Sequence, residues 1–143
     1  MPYSSQQHLI DRVSEAMLIA LTDRSDTPTG AIDTSTLDRA LADTDAVING
    51  YLAARYTLPL TTVPALVADL AGAICLWKLH VTSPEGKVKD DYDAAIKMLR
   101  DIASGIVRIP DAAGLQAPVS GAQGVQVTER ERPFSAENMK GFI

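Results

Sequence analysis

Apolar residues recur at spacings of three and four over four stretches of the chain, and each stretch predicts a helix with one buried face. The first runs from about Ser5 to Leu21, with Leu9, Val13, Ala16, Met17 and Ala20 on one side and Ser4 or Ser5 placed to cap it. The second runs from about Thr36 to Tyr56 behind a choice of caps, Asp33, Thr34 or Ser35. Its stripe is Leu37, Leu41, Val47 or Ile48, Tyr51 and Leu52. Gly50 interrupts that stripe, and an internal glycine costs a helix about 1 kcal/mol relative to alanine. A kink or a close helix contact at Gly50 is therefore expected.

Pro59 disfavours helix at Leu58, so the chain turns there. A third helix follows, with Thr62 as cap and Pro64 in the first turn, where a missing N–H does no harm. Leu66, Val67, Leu70, Ile74, Trp77 and Val81 form its stripe, and Ala71, Ala73, Cys75 and Leu76 fill much of the remaining circumference. A helix that is apolar on most sides must be covered on most sides, which makes it the expected centre of the fold. The fourth helix, from about Pro84 or Val88 to Ser104, sets Val88, Tyr92, Ala95 or Ile96, Leu99 and Ile102 or Ala103 against an outer face of Lys89, Asp93, Lys97, Arg100 and Asp101. Asp93 and Lys97 have the favourable i, i+4 order, and Gly105 is the expected stop.

The pattern ends after Ile109. Residues 110–124 combine Pro, Gly, Ala, Ser and Gln without periodicity and predict a linker. Val125 and Val127 alternate with Gln126 and Thr128 and predict a short strand, and Ser135 is placed to cap a short final helix. The expected architecture is mainly α: a four-helix body over 1–109 and an extended assembly arm over 110–143 containing one strand. The arm carries Val125, Val127, Phe134, Met139 and Phe142, large apolar groups that a purely solvated tail does not need. Spaced anchors on an extended segment bind partners by strand addition or by filling grooves, so these five are the expected interface residues.

Charge and composition narrow the function. The net charge of −5 opposes binding to a phosphate backbone, which requires clustered Lys and Arg. The single cysteine, Cys75, excludes an internal disulfide and a multi-cysteine metal site, and on an apolar helix face it reads as a core residue. The most apolar stretch, Val63 to Val81, is broken by Asp69, Lys78 and His80, so no membrane helix and no secretory leader is expected. Chemistry is sparse. His8 and His80 fall on different helices, and His80 reads as a base at a helix C-terminus. The loop from Asp23 to Asp33 fits no calcium register, because counting from Asp23 puts Pro28 sixth and Thr34 twelfth. No phosphate-binding glycine loop is present, and Arg12, Arg24, Arg39 and Arg55 read as solvated. Neither enzyme activity nor a cofactor is expected.

Several pieces in series resemble one family. They are Leu21-Thr22-Asp23-Arg24, Gly30-Ala31-Ile32-Asp33, Tyr51-Leu52-Ala53-Ala54-Arg55-Tyr56, Leu58-Pro59-Leu60, Val63-Pro64-Ala65-Leu66 and, at the end, Phe134 with Met139-Lys140-Gly141-Phe142. The chain resembles the head–tail connector, or head-completion, proteins of Mu-like phages and prophages, long catalogued as a domain of unknown function. The loop Ser25–Thr29 departs from the shorter, Asp/Gly-rich form of that family. The resemblance implies a virion subunit at the head–tail junction, twelve copies forming a ring that contacts the portal protein on one side and the tail or tail-terminator protein on the other. Genomic DNA would pass through the lumen without sequence-specific binding. Twelve copies would carry a charge of about −60, enough for an acidic inner wall to repel that DNA. A tail-completion or terminator protein is the alternative within the virion, and a small cytosolic module that binds a host protein through its tail is the alternative outside it.

Overall fold

A computed structural model describes residues 2–109. Among them are five helices: α1 (Gln6–Val13), α2 (Glu15–Thr22), α3 (Thr34–Leu52), α4 (Ala65–Leu79) and α5 (Lys87–Ser104). The described residues contain no strand. The expected strand at Val125–Thr128 and the whole arm over 110–143 lie outside them.

α4 is the axis of the body. Leu70 through Leu76 are buried without interruption, because α1, α3 and α5 all lie against α4. On one flank Ile48 and Leu52 of α3, Val67, Leu70, Ala71 and Ile74 of α4, and Ala95, Leu99 and Ile102 of α5 share one core. A second core joins Leu9, Leu18, Leu37, Leu41, Cys75, Leu76 and Leu79 and seats α1 and α2 on α4 and the first half of α3. Each such side chain contributes roughly 1.5–3 kcal/mol on burial.

The strand-free connections set the directions. Arg55, just past α3, lies over Gly105 at the end of α5, and the Tyr56 hydroxyl accepts the Ile109 N–H at 3.0 Å. The C-terminal ends of α3 and α5 are therefore neighbours and these helices run the same way. α4 returns between them, its last turn reaching the Leu37–Leu41 end of α3. The core is thus an up–down–up bundle of three helices with the α1–α2 pair laid on it, instead of the four-helix bundle that periodicity suggested.

The additional helix arises at Ser14. The apolar spacing runs on through it, but Ser14 adopts φ 83° and ψ 153°, donates its N–H to Ile10 to close α1, and accepts from Met17 N as the N-cap of α2. Local hydrogen bonding by serine competes with helix continuation, and the break lets α1 lie on α4 while α2 turns onto α3. α1 meets α4 at Gly72, where an added Cβ would lie 3.3 Å from the His8 ring.

Other boundaries shift by a few residues. Asp33 is the cap of α3, its carboxylate accepting from Ser35 N at 3.0 Å and from the Thr36 hydroxyl at 2.6 Å. α3 ends at Leu52 instead of Tyr56. α4 starts behind Pro64 with no side-chain cap, so Thr62 does not serve as one. Leu58-Pro59 is a cis peptide, which carries the chain from Tyr56 to buried Leu60. Asp93 approaches Lys89 at 3.9 Å, not Lys97, and Gly105 ends α5 in the left-handed region as expected.

Backbone in this positive-φ region with extended ψ is essentially reserved for glycine, while glycine at an N-cap loses only a few tenths of a kcal/mol relative to serine. Ser14→Gly should therefore raise stability by about 1 kcal/mol, read as a higher urea midpoint at unchanged slope.

Candidate interaction surface

The polar groups of the body are largely committed to holding it together. Thr22, fully buried, donates to Leu18 O at 2.8 Å and accepts from Asp33 N at 3.1 Å, tying the end of α2 to the start of α3. Asp23 accepts from Thr29 N at 2.7 Å and Gly30 N at 2.9 Å. Hydrogen bonds from Gly30 N first, then from Thr29 and Ser25, hold its carboxyl below the usual range. The Asp23 carboxylate is thus consumed by its own loop, and no group of three potential metal ligands occurs among the described residues. The Arg24 guanidinium donates to Leu79 O and, at 2.9 Å, to Leu21 O, satisfying carbonyls at the ends of α4 and α2. Arg12 donates to Asp69 at 2.5 Å and approaches Asp91 at 3.6 Å, joining α1, α4 and α5. Arg12 and Arg24 are therefore structural cations, a correction to the expectation that they are merely solvated. Sequence spacing could not reveal partners more than fifty residues away.

The histidines are apart. His8 Nδ1 pairs with Ser4 Oγ at 2.9 Å, a link within one turn, with Ser4 buried. No carboxylate is among the described hydrogen-bond partners of either ring. His80 caps α4, its Nδ1 2.7 Å from Leu76 O. Cys75 is fully buried, and burial pushes its thiol up to about 11.

One open surface of the body lies between α3 and α5. A groove of about 540 Å³ is lined there by Ala46, Val47, Gly50 and Tyr51 of α3 and Tyr92, Ile96 and Arg100 of α5. Its walls are apolar or aromatic, and its single charged lining group is Arg100. Tyr92 is held from behind by stacking on Trp77 of α4, ring centroids 4.7 Å apart at 13°. Periodicity puts Tyr51 and Tyr92 on core-facing stripes and leaves Val47 or Ile48 and Ala95 or Ile96 as alternatives. Ile48 and Ala95 take the core with Leu52 and Leu99, while Val47, Tyr51, Tyr92 and Ile96 are half-buried beside the groove.

Gly50 is the informative residue of the groove. α3 passes through it without interruption, its φ is not positive, and a Cβ built there meets nothing within 4 Å. The expected close contact with another helix of the described body does not account for it. The expected interface residues Val125, Val127, Phe134, Met139 and Phe142 lie outside the described residues, so the structure neither brings them together nor separates them.

Fold and surface together define a small, mainly helical protein with structural polar networks and an open groove between α3 and α5, and among the described residues no helix is long and apolar enough to cross a membrane. The chain belongs to the family described as "Bacteriophage Mu, Gp36", whose family model matches residues 3–127. It is 32% identical over 143 residues to gene product J of Escherichia phage Mu, covering 100% of both chains. It is 28% identical over 116 residues to Mu-like prophage FluMu protein gp36 of Haemophilus influenzae, covering 79% of each. The match to the phage Mu protein spans the described body and also residues 110–143.

Two outcomes follow from the side-chain chemistry. Lys87 first, and Arg12 to a smaller degree, hold the Asp91 carboxyl below the ordinary value of 3.8. A carboxyl lowered in the folded state stabilises above its unfolded pKa and ceases to do so as pH falls through its folded one. Arg12→Gln should therefore cost up to about 1 kcal/mol at pH 7 and progressively less below pH 4, measured by urea titration at both ends, because these pairs are partly exposed. Cys75 should resist alkylation by iodoacetamide at pH 8 in the folded protein and react once urea unfolds it; labelling at comparable rates in both states would contradict its burial.

Proposed function

We propose that this protein is a structural virion subunit, a head–tail connector that forms a ring between the portal and the tail and acts without a catalytic site. The full-length match to a phage Mu gene product carries this reading, since it extends through the arm as well as the body. The character of the body supports it. No buried side-chain polar atom among the described residues lacks a hydrogen-bond partner, and the described polar clusters are explained by loop closure, capping and helix docking. A ring subunit needs stable lateral faces and a segment that reaches its neighbours, and heterologous contacts that close on themselves generate such a ring. The arm over 110–143, with Val125, Val127, Phe134, Met139 and Phe142, would supply the reach. Self, portal and tail or terminator would be its partners, at the head–tail junction of the virion, with genomic DNA in the lumen.

Deleting 124–143 from the phage gene should leave a folded helical protein with unchanged far-ultraviolet signal per helical residue, yet yield filled heads and free tails in place of joined particles. Normal titres of joined, infectious particles carrying the truncated chain would overturn the proposal. Free heads with complete tails that lack only their terminal ring would point instead to tail completion.

A further inference from the structure

The geometry points to the groove between α3 and α5 as the acceptor for the C-terminal segment 134–143 of a neighbouring copy. This inference rests on the connector reading for the existence of neighbours, and on the groove itself for the site.

Gly50 is the first observation. No contact within the described body explains a glycine in the interior of α3, since its φ is not positive and the space above it is open. A helix keeps a glycine at such a place when another group must come close to the backbone. That space opens into the groove, so the approaching group comes from outside the described body. The second observation is the lining: Val47, Tyr51, Tyr92 and Ile96 form apolar walls around the Gly50 floor, a shape that takes large side chains of a peptide segment.

The third observation is supply. The described chain stops at Ile109, buried and held by Tyr56 beside the C-terminal ends of α3 and α5, the end toward which Arg100 lies. Beyond it the chain carries Phe134, Met139 and Phe142, with Glu137 between them to meet Arg100, the one charged group of the groove. The 24 residues from 110 to 133 can extend to roughly 80 Å, a reach that allows the segment to arrive at another copy.

The test uses two full-length chains, each with one added cysteine, with Cys75 left in place because it is buried. One carries Ala46→Cys on the groove and the other Gly141→Cys on the segment. Mixed and oxidised, they should give a disulfide-linked pair of chains, at a yield several-fold above that from Ala16→Cys, on the exposed face of α2, with the same partner. Gly50→Leu, which fills the groove while favouring the helix, should abolish the cross-link without lowering the melting temperature, and Gly50→Ala, which puts a Cβ where the segment meets the backbone, should reduce its yield. A yield no greater than the α2 control, or one indifferent to Gly50→Leu, overturns the assignment. So does a chain bearing both cysteines that closes on itself and links to no other. Particle assembly by the 124–143 deletion is scored separately. Loss of joining without a cross-link refutes the groove and leaves the connector standing, while a cross-link with normal particles does the reverse.

Discussion

A helix that is apolar around most of its circumference must be covered on most sides, and α4 is such a helix. Covering it takes three separate surfaces: α3 and α5 along its length and the α1–α2 pair at the side those two leave bare. The remaining geometry follows from that requirement. α3 and α5 must run in the same direction because each is joined to α4 by a short reversal or packs against it in return. α1 can approach only where Gly72 lets the His8 and Arg12 side chains come close. The polar links that hold the cover in place, Arg12 to Asp69 and Asp91, Arg24 to Leu79 and Thr22 to Asp33, run between elements that burial has already brought together. Their individual energies are modest. Their contribution is to fix which of several similar packings is adopted.

The motifs that carry the family resemblance are mostly legible in these terms. Thr22, Asp23 and Arg24 respectively join α2 to α3, close the loop and cap α4. Gly30 supplies the positive φ of 67° where its N–H turns toward Asp23, and Asp33 caps α3. Leu52 enters the core, Arg55 covers Gly105 and Tyr56 holds Ile109, while Tyr51 lines the groove. Pro59 and Pro64 shape the passage into α4. The series is thus a description of how one body is closed, with Tyr51 facing outward.

Periodicity located the helical regions and the centrality of α4 because burial imposes that spacing directly. It could not see the break at Ser14, since the apolar rhythm continues across it and the decision lies in one backbone conformation. It left Val47 or Ile48 and Ala95 or Ile96 open for a related reason. A stripe of apolar residues is wider than the face its neighbour covers, and Val47, Tyr51, Tyr92 and Ile96 form its half-buried margin, the last three still packed against the core. Gly50 is an anomaly in the sequence pattern, and the structure removes a close contact within the described body as its explanation. The arm residues Val125, Val127, Phe134, Met139 and Phe142 were singled out by composition alone, and they fall beyond the described residues.

The place where the chain leaves the body has a mechanical meaning. Ile109 is buried, its N–H bonded to Tyr56, and the turn before it is closed by Ile106 and Val107 N–H groups on Asp101 O beneath the Arg55 guanidinium. Tension pulled along the following residues would enter at this junction and be divided between the ends of α3 and α5, two parallel struts braced by α4. A pull directed along the helix axes would load this anchorage in shear and be shared by two helices, so that neither end would peel away alone.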